Sequence, residues 1–149
     1  MRLCLAGTGR KEGSLMSLAI AVSGGPCAPS FAVANPSSLL CVCNEFDPGR
    51  ESVERFIHRV FARRFGARVQ RFAPHLICLR DADSGDIVAA AGYRRASSDP
   101  LFLERYLDRP IEQSLVERGQ TPVSREGIVE VGHLASERAG EGRRLIVRL

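Results

Sequence analysis

"IVEVGHLASERAGEGRRLI", residues 128–146, decides how the fold is read. Apolar and polar side chains alternate from 128 to 135, which is strand periodicity. Gly140 and Gly142 follow, and then an apolar run carrying Arg143 and Arg144 that predicts a helix starting near Gly140. A strand that feeds a helix through a tight glycine loop either holds a phosphate-bearing ligand or only packs a helix on a sheet. The first N–H groups of a helix lack partners and its dipole is positive there, so an anion is stabilised at that end. Glycine lets backbone approach a pyrophosphate closely. On its own, however, a Gly-x-Gly at such a junction is more often a turn.

Upstream, "DPGRESVERFIHRVFARRFG" places Val53, Phe56, Ile57, Val60, Phe61 and Phe65 at three- and four-residue steps. That spacing predicts one apolar stripe on a helix of about four turns. Arg55, Arg59, Arg63 and Arg64 fall on the other side, His58 beside them reads as a surface histidine, and Gly66 is the stop. "HLICLRD" and "IVAAAGYRRA" read as strands joined by the turn signal "DSGD", an antiparallel hairpin. The small residues Ala89 to Gly92 predict that something packs close over the second strand. "DPLFLERYLD" and "RPIEQSLVERG" read as two short helices capped by Asp99 and Asp108, with Gly119 ending the second. Residues 1–49 hold Gly, Pro and Ser clusters without a sustained period and read as a poorly ordered leader, with an ordered domain over 50–149. The element order is α+β, with three strands and "ARVQRF" as a candidate fourth in a mostly antiparallel sheet.

The 149 residues allow one ordinary domain, and 44% hydrophobic with 26% charged residues allow a core. Net charge is +4 with 21 basic residues, of which Lys11 is the only lysine. That mild excess is not the dense basic face of a nucleic-acid binder. Arginine suits phosphate and carboxylate recognition through its planar fork, although a GC-rich genome produces the same bias. Cysteines 4, 27, 41, 43 and 78 include no C-x-x-C pair and read as unpaired thiols in a reducing, cytoplasmic compartment, with no metal site. No apolar run is long enough to span a membrane. Arg10 and Lys11 before "SLMSLAIAV" imitate a secretory signal, but "SGGPCAPS" breaks its continuity.

"VERFIHRVFARRFGA", "FAPHLICLRD", "IVAAAGYRRA", "LFLERYLDRPIE" and "IVEVGHLASERAGEGRRLI" together resemble the thermostable hemolysin family. The similarity covers about residues 50–149, and "LFLERYLDRPIE" followed by "VEVGHLA" is its most specific part. That family's element order is similar to the GNAT acyltransferases, and more closely to the acyl-homoserine-lactone synthases. The resemblance implies a GNAT-like sheet flanked by helices and incomplete at the C-terminus, since the part that would complete the acyl-binding cleft is missing. It implies an acyl-CoA or acyl carrier protein thioester as donor and a small-molecule amine as acceptor. Arg94 would lie on a central strand near that acceptor, and Glu130 would face its amine. Three departures stand out. A GNAT loop carries Gln or Arg three residues before the first glycine, whereas Glu137 stands there, and its carboxylate repels a pyrophosphate. The aspartate pair of the lactone synthases is not evident. His133 stands where most thermostable hemolysins are expected to have Asn.

Acyl transfer to an amine needs a base and donors for the oxyanion. Glu130 is the first candidate base and His133, whose imidazole type titrates near neutrality, the second. Strand alternation sends them to opposite faces unless a bulge intervenes. Glu130 paired with Arg94 as a structural ion pair is the competing reading. Tyr93 is a candidate acid for the leaving thiolate, or a packing residue. Gly140, Gly142, Arg143 and Arg144 are the candidate phosphate-binding set. Two other functions stay open: a haemolysin acting directly on membranes, for which the two-turn "LFLERYLD" cluster is a small amphipathic surface, and an inactive truncated chain.

Overall fold

The computed structural model describes residues 18–21, 38–118 and 121–148. The elements run β1 (Leu18–Ala21), β2 (Ser38–Cys43), α1 (Arg50–Phe65), β3 (His75–Asp81), β4 (Ile87–Arg95), a 3-10 turn (Leu103–Tyr106), α2 (Ile111–Glu117), a second 3-10 turn (Arg125–Gly127), β5 (Ile128–Ser136) and α3 (Glu141–Val147). The strand order is β1-β5-β4-β3-β2. Pairing is antiparallel for β1 with β5, β2 with β3 and β3 with β4. The described residues divide into two compact units, one of β1 with 94–131 and one of 38–93 with 132–148.

In the second unit, α1 buries the expected stripe. Val53, Phe56, Ile57, Val60 and Phe61 pack on Leu76 and Cys78 of β3, Ala90 of β4 and Ala135 of β5. Large side chains buried this way stabilise the fold by roughly 2 kcal/mol each. Phe65 is the exception: it ends the helix and is exposed, with its ring 5.4 Å from the Phe61 ring by centroid. Gly66 stops α1 in the left-handed conformation (φ 61°) and donates its N–H to the Ala62 carbonyl. At the other end, Arg50 ties the helix to the chain before β3. Its guanidinium donates to the Ala73 and Pro74 carbonyls at 2.8 Å and pairs with Glu54.

The hairpin of β3 and β4 forms as expected, with a register shift at Leu79 and Arg80. Its turn is organised by Asp81, whose carboxylate accepts from the Asp83 and Ser84 amides. Those bonds hold the Asp81 carboxyl below the usual carboxylate range. Ile77 and Leu79 are buried as well as Leu76 and Cys78, so β3 is covered on both faces. Cys78 lies opposite Cys41 of β2, and burial pushes its thiol up to about 12. Cys41, Cys43 and Cys78 are free thiols.

The small residues of β4 serve close packing, and Gly92 is the tightest point. A Cβ there would lie 2.8 Å from the Ala73 Cβ and 3.3 Å from the His133 Nδ1. Gly92→Ala is therefore expected to cost about 1–3 kcal/mol in urea unfolding, because Ala73 belongs to a backbone segment held by Arg50. A variant as stable as the parent would show that this contact yields freely.

Three expectations change. Residues 67–72, the candidate fourth strand, form no strand. Ala67, Val69 and Phe72 instead pack on the α1 core outside any ladder, so their spacing reflects packing. The additional strands are β1 and β2, inside the stretch expected to be a leader; the remainder of that stretch up to residue 37 lies outside the described residues. Finally, Asp99 and Asp108 cap nothing: the residues preceding the helical turns are Phe102 and Pro110. Gly119 lies outside the described residues, and α2 ends at Glu117.

Candidate functional site

Glu130 and Arg94 belong to the first unit. Glu130 is 3% exposed on β5. One carboxylate oxygen accepts the Phe102 N–H at 2.8 Å and the other accepts the Leu103 N–H at 2.7 Å. The Arg94 Nε lies 3.5 Å from the same carboxylate. Arg94 also donates to the Pro100 carbonyl at 3.3 Å. The sequence left Glu130 open between a base and a structural partner of Arg94, and this geometry is that of the partner. A carboxylate carrying two amides is satisfied where it stands, and it is spent on the orphan donors at the start of a 3-10 turn. Glu104 completes that cap by accepting the Leu101 N–H at 3.0 Å.

A second polar cluster in this unit has no signature in the sequence. Arg125 donates its Nε to the Ala96 carbonyl at 2.8 Å and forks onto Glu104 at 2.7 and 2.9 Å. Glu112 approaches the same guanidinium at 3.3 Å. The fork holds the Glu104 carboxyl down at about 2. Leu101, Ile111, Leu115 and Ile128 form the apolar core beneath, with Ala96.

His133, Gly140, Gly142, Arg143 and Arg144 belong to the second unit. His133 lies within β5 with φ 53°, the only positive φ at a non-glycine residue among those described. A left-handed residue inside a strand breaks the two-residue alternation, and such strain is found at functional sites. Its ring lies among aromatics, 5.9 Å from Phe72 and 6.2 Å from Phe61 by centroid. Tyr93 stacks on His75 at 5.0 Å across β3 and β4, the packing role open to it in the sequence.

The junction after β5 forms where expected. Gly140 precedes α3 with φ 87°, a conformation that excludes side chains at low cost. Gly142 is buried, yet a Cβ there would meet Ser136 and Leu134 only at ordinary contact distances of 3.5 Å or more. Arg144 pairs with Glu141 of the first turn at 3.0 Å, and Arg143 is exposed. Glu137 is held on three sides. Its carboxylate accepts from Arg59 at 3.1 Å, its carbonyl accepts from Arg64 at 3.1 Å, and its N–H donates to Val88. Arg59, Val60, Arg63, Arg64 and Glu137 line a shallow hollow. Arg59 and Arg64 of α1 partner the loop at Glu137, a contact that the spacing of the glycines does not signal.

Among the described residues no three His, Cys, Asp or Glu side chains are grouped to hold a metal ion. No helix among them is long and apolar enough to cross a membrane. No curated protein and no solved structure matches the chain. The sequence model of one family, described as thermostable hemolysin, matches residues 43–149. A match over that share of the sequence settles membership: the chain belongs to the thermostable hemolysin family.

Proposed function

We propose that the protein is an acyltransferase that moves an acyl group from a thioester donor, acyl-CoA or acyl carrier protein, to the amine of a small acceptor. The observation that carries this reading is the end of β5. His133 takes a left-handed backbone conformation within the strand, which then runs through a loop into a helix whose first turn follows a left-handed Gly140. The element order and "VEVGHLA", similar to the GNAT acyltransferases and lactone synthases, support the same class.

In this reading His133 takes the proton of the attacking amine. Imidazole is suited to that transfer because it ordinarily titrates near neutrality. The amine nitrogen attacks the thioester carbonyl, the carbon–sulfur bond breaks, and the thiolate leaves with the proton returned to it. Glu130 and Arg94 act as positioning residues that fix the 3-10 turn rather than as the base. The donor's phosphates fall to the junction after β5.

The test uses the full chain. Calorimetry with acyl-CoA and with acyl carrier protein is expected to show binding to one of them. Free-thiol release in the presence of amines is expected to fall by about a hundredfold or more in His133→Ala, the usual weight of one acid–base group. Absence of binding to both donors would remove the reading. The competing idea of direct action on membranes rests on Leu39, Leu40 and Val42 of β2 and on Phe46, all exposed. Dye release from protein-free liposomes, with no thioester present, would favour it instead.

A further inference from the structure

The geometry points to a phosphate-binding subsite on α1, in the hollow lined by Arg59, Arg63 and Arg64, in which the Glu137 carboxylate stands in for the ligand until a phosphate or pyrophosphate group displaces it. The proposal deepens the donor assignment above by saying where the donor's phosphates are held.

Three observations carry it. The first is the concentration of guanidinium groups. Arg59, Arg63 and Arg64 surround one concavity together with Val60 and Glu137. Guanidinium is the side chain best shaped for bidentate bonds to phosphate.

The second is that the hollow already receives an anion. Arg59 approaches one Glu137 oxygen with both Nε, at 3.3 Å, and Nη2, at 3.1 Å. The carboxylate oxygen at that place stands where one phosphate oxygen would sit. The loop is held there by its backbone as well, through Arg64 to the Glu137 carbonyl and through the Glu137 N–H to Val88. The side chain can therefore swing away while the loop stays.

The third is the weakness of the ion pair to be broken. The side chains of Arg59 and Glu137 are 57% and 38% exposed. Ion pairs this open contribute roughly 0–1 kcal/mol. A pyrophosphate carries more charge and more acceptor oxygens than the carboxylate, so exchange favours it. The other local anion is already neutralised, since Glu141 pairs with Arg144. At the junction after β5 Arg144 is engaged by Glu141, whereas the adjoining α1 face offers three arginines. Glu137, which opposes phosphate when the loop is considered alone, becomes an internal competitor with a low barrier to leaving.

The test titrates the full chain with inorganic pyrophosphate, and separately with CoA, by calorimetry. Glu137→Gln preserves the shape and the oxygen facing Arg59 while removing the charge. It is expected to bind pyrophosphate about tenfold more tightly than the parent, the effect of one charge-assisted contact no longer competed for. Arg59→Ala combined with Arg63→Ala is expected to bind at least about tenfold more weakly, with a reduced salt dependence. Thermal melts identify any variant that has lost its fold, which these exposed positions do not predict. Equal or weaker binding by Glu137→Gln, or no pyrophosphate binding by any form, overturns the subsite. Acyl-CoA affinity indifferent to all these substitutions keeps the transferase and removes the subsite. Pyrophosphate binding that follows the expected pattern without affinity for any thioester donor keeps the subsite and removes the transferase.

Discussion

Glu130→Ala is expected to lower the free energy of unfolding by about 3–5 kcal/mol, the largest effect of any single substitution considered for this chain. Three groups lose their acceptor at once: the Phe102 and Leu103 amides and the Arg94 guanidinium. The carboxylate is 3% exposed, so water does not replace it readily. Glu130→Gln is the sharper variant. Its amide keeps one acceptor oxygen but turns an NH2 toward the second backbone N–H, donor against donor, at a cost of about 1–3 kcal/mol. Urea denaturation measures both. A positioning residue loses stability and activity together, and saturating the fold with osmolyte restores part of the activity. A base loses activity alone. Glu130→Gln with unchanged stability and abolished acyl transfer would return Glu130 to the role of base and displace His133.

Arg125→Ala is expected to cost about 2–4 kcal/mol at neutral pH, since it strands Glu104 and Glu112 together and frees the Ala96 carbonyl. The same cluster sets an acid limb. Glu104 has its carboxyl held at about 2, below the 4.5 of an ordinary glutamate, chiefly by the Arg125 side chain. A depressed carboxyl stabilises the folded form fully above the unfolded value and loses that contribution as pH falls. The window therefore runs from about 4.5 down to about 2. With the pair partly open to water, roughly 2 kcal/mol rather than the full linkage value is at stake. Denaturation curves at about pH 6 and about pH 3 should converge for the parent and Arg125→Ala as acid removes what the mutation has already removed. Parallel losses in the two proteins would show that Glu104 does not carry the acid limb. Arg125→Lys is expected to rescue little, because a single ammonium cannot fork onto Glu104 while also reaching Ala96.

The parts of the fold legible in the sequence are those whose signal is local. The α1 stripe repeats for four turns and ends on a glycine that the left-handed cap requires. The β3–β4 hairpin announces both its strands and its turn. What escaped depends on distant partners. "SLLCVC" is a short apolar run without alternation, and Leu39, Leu40 and Val42 stay exposed, so nothing but its pairing with β3 makes it a strand. Asp99 and Asp108 looked like caps because they precede the right segments, yet the amides were taken by carboxylates from elsewhere in the unit. Among the candidate site residues, Glu130 lies 3.5 Å from Arg94, one of the two readings the sequence left open, and the helix expected near Gly140 begins at Glu141. The sequence could not show that Arg144 would be occupied by Glu141, or that Glu137 would find Arg59, because both pairs arise from side-chain reach after the helices are in position.

The cap of the 3-10 turn has a consequence for the order in which the chain folds. Glu130 lies 28 residues after Phe102 and 27 after Leu103. During synthesis the turn leaves the ribosome well before its acceptor does, and its amides remain bound to water until β5 arrives. Closing that loop takes entropy before any contact rewards it. The turn is accordingly a late structure, fixed only when β5 docks, while α1 and the β3–β4 hairpin complete themselves from neighbouring residues.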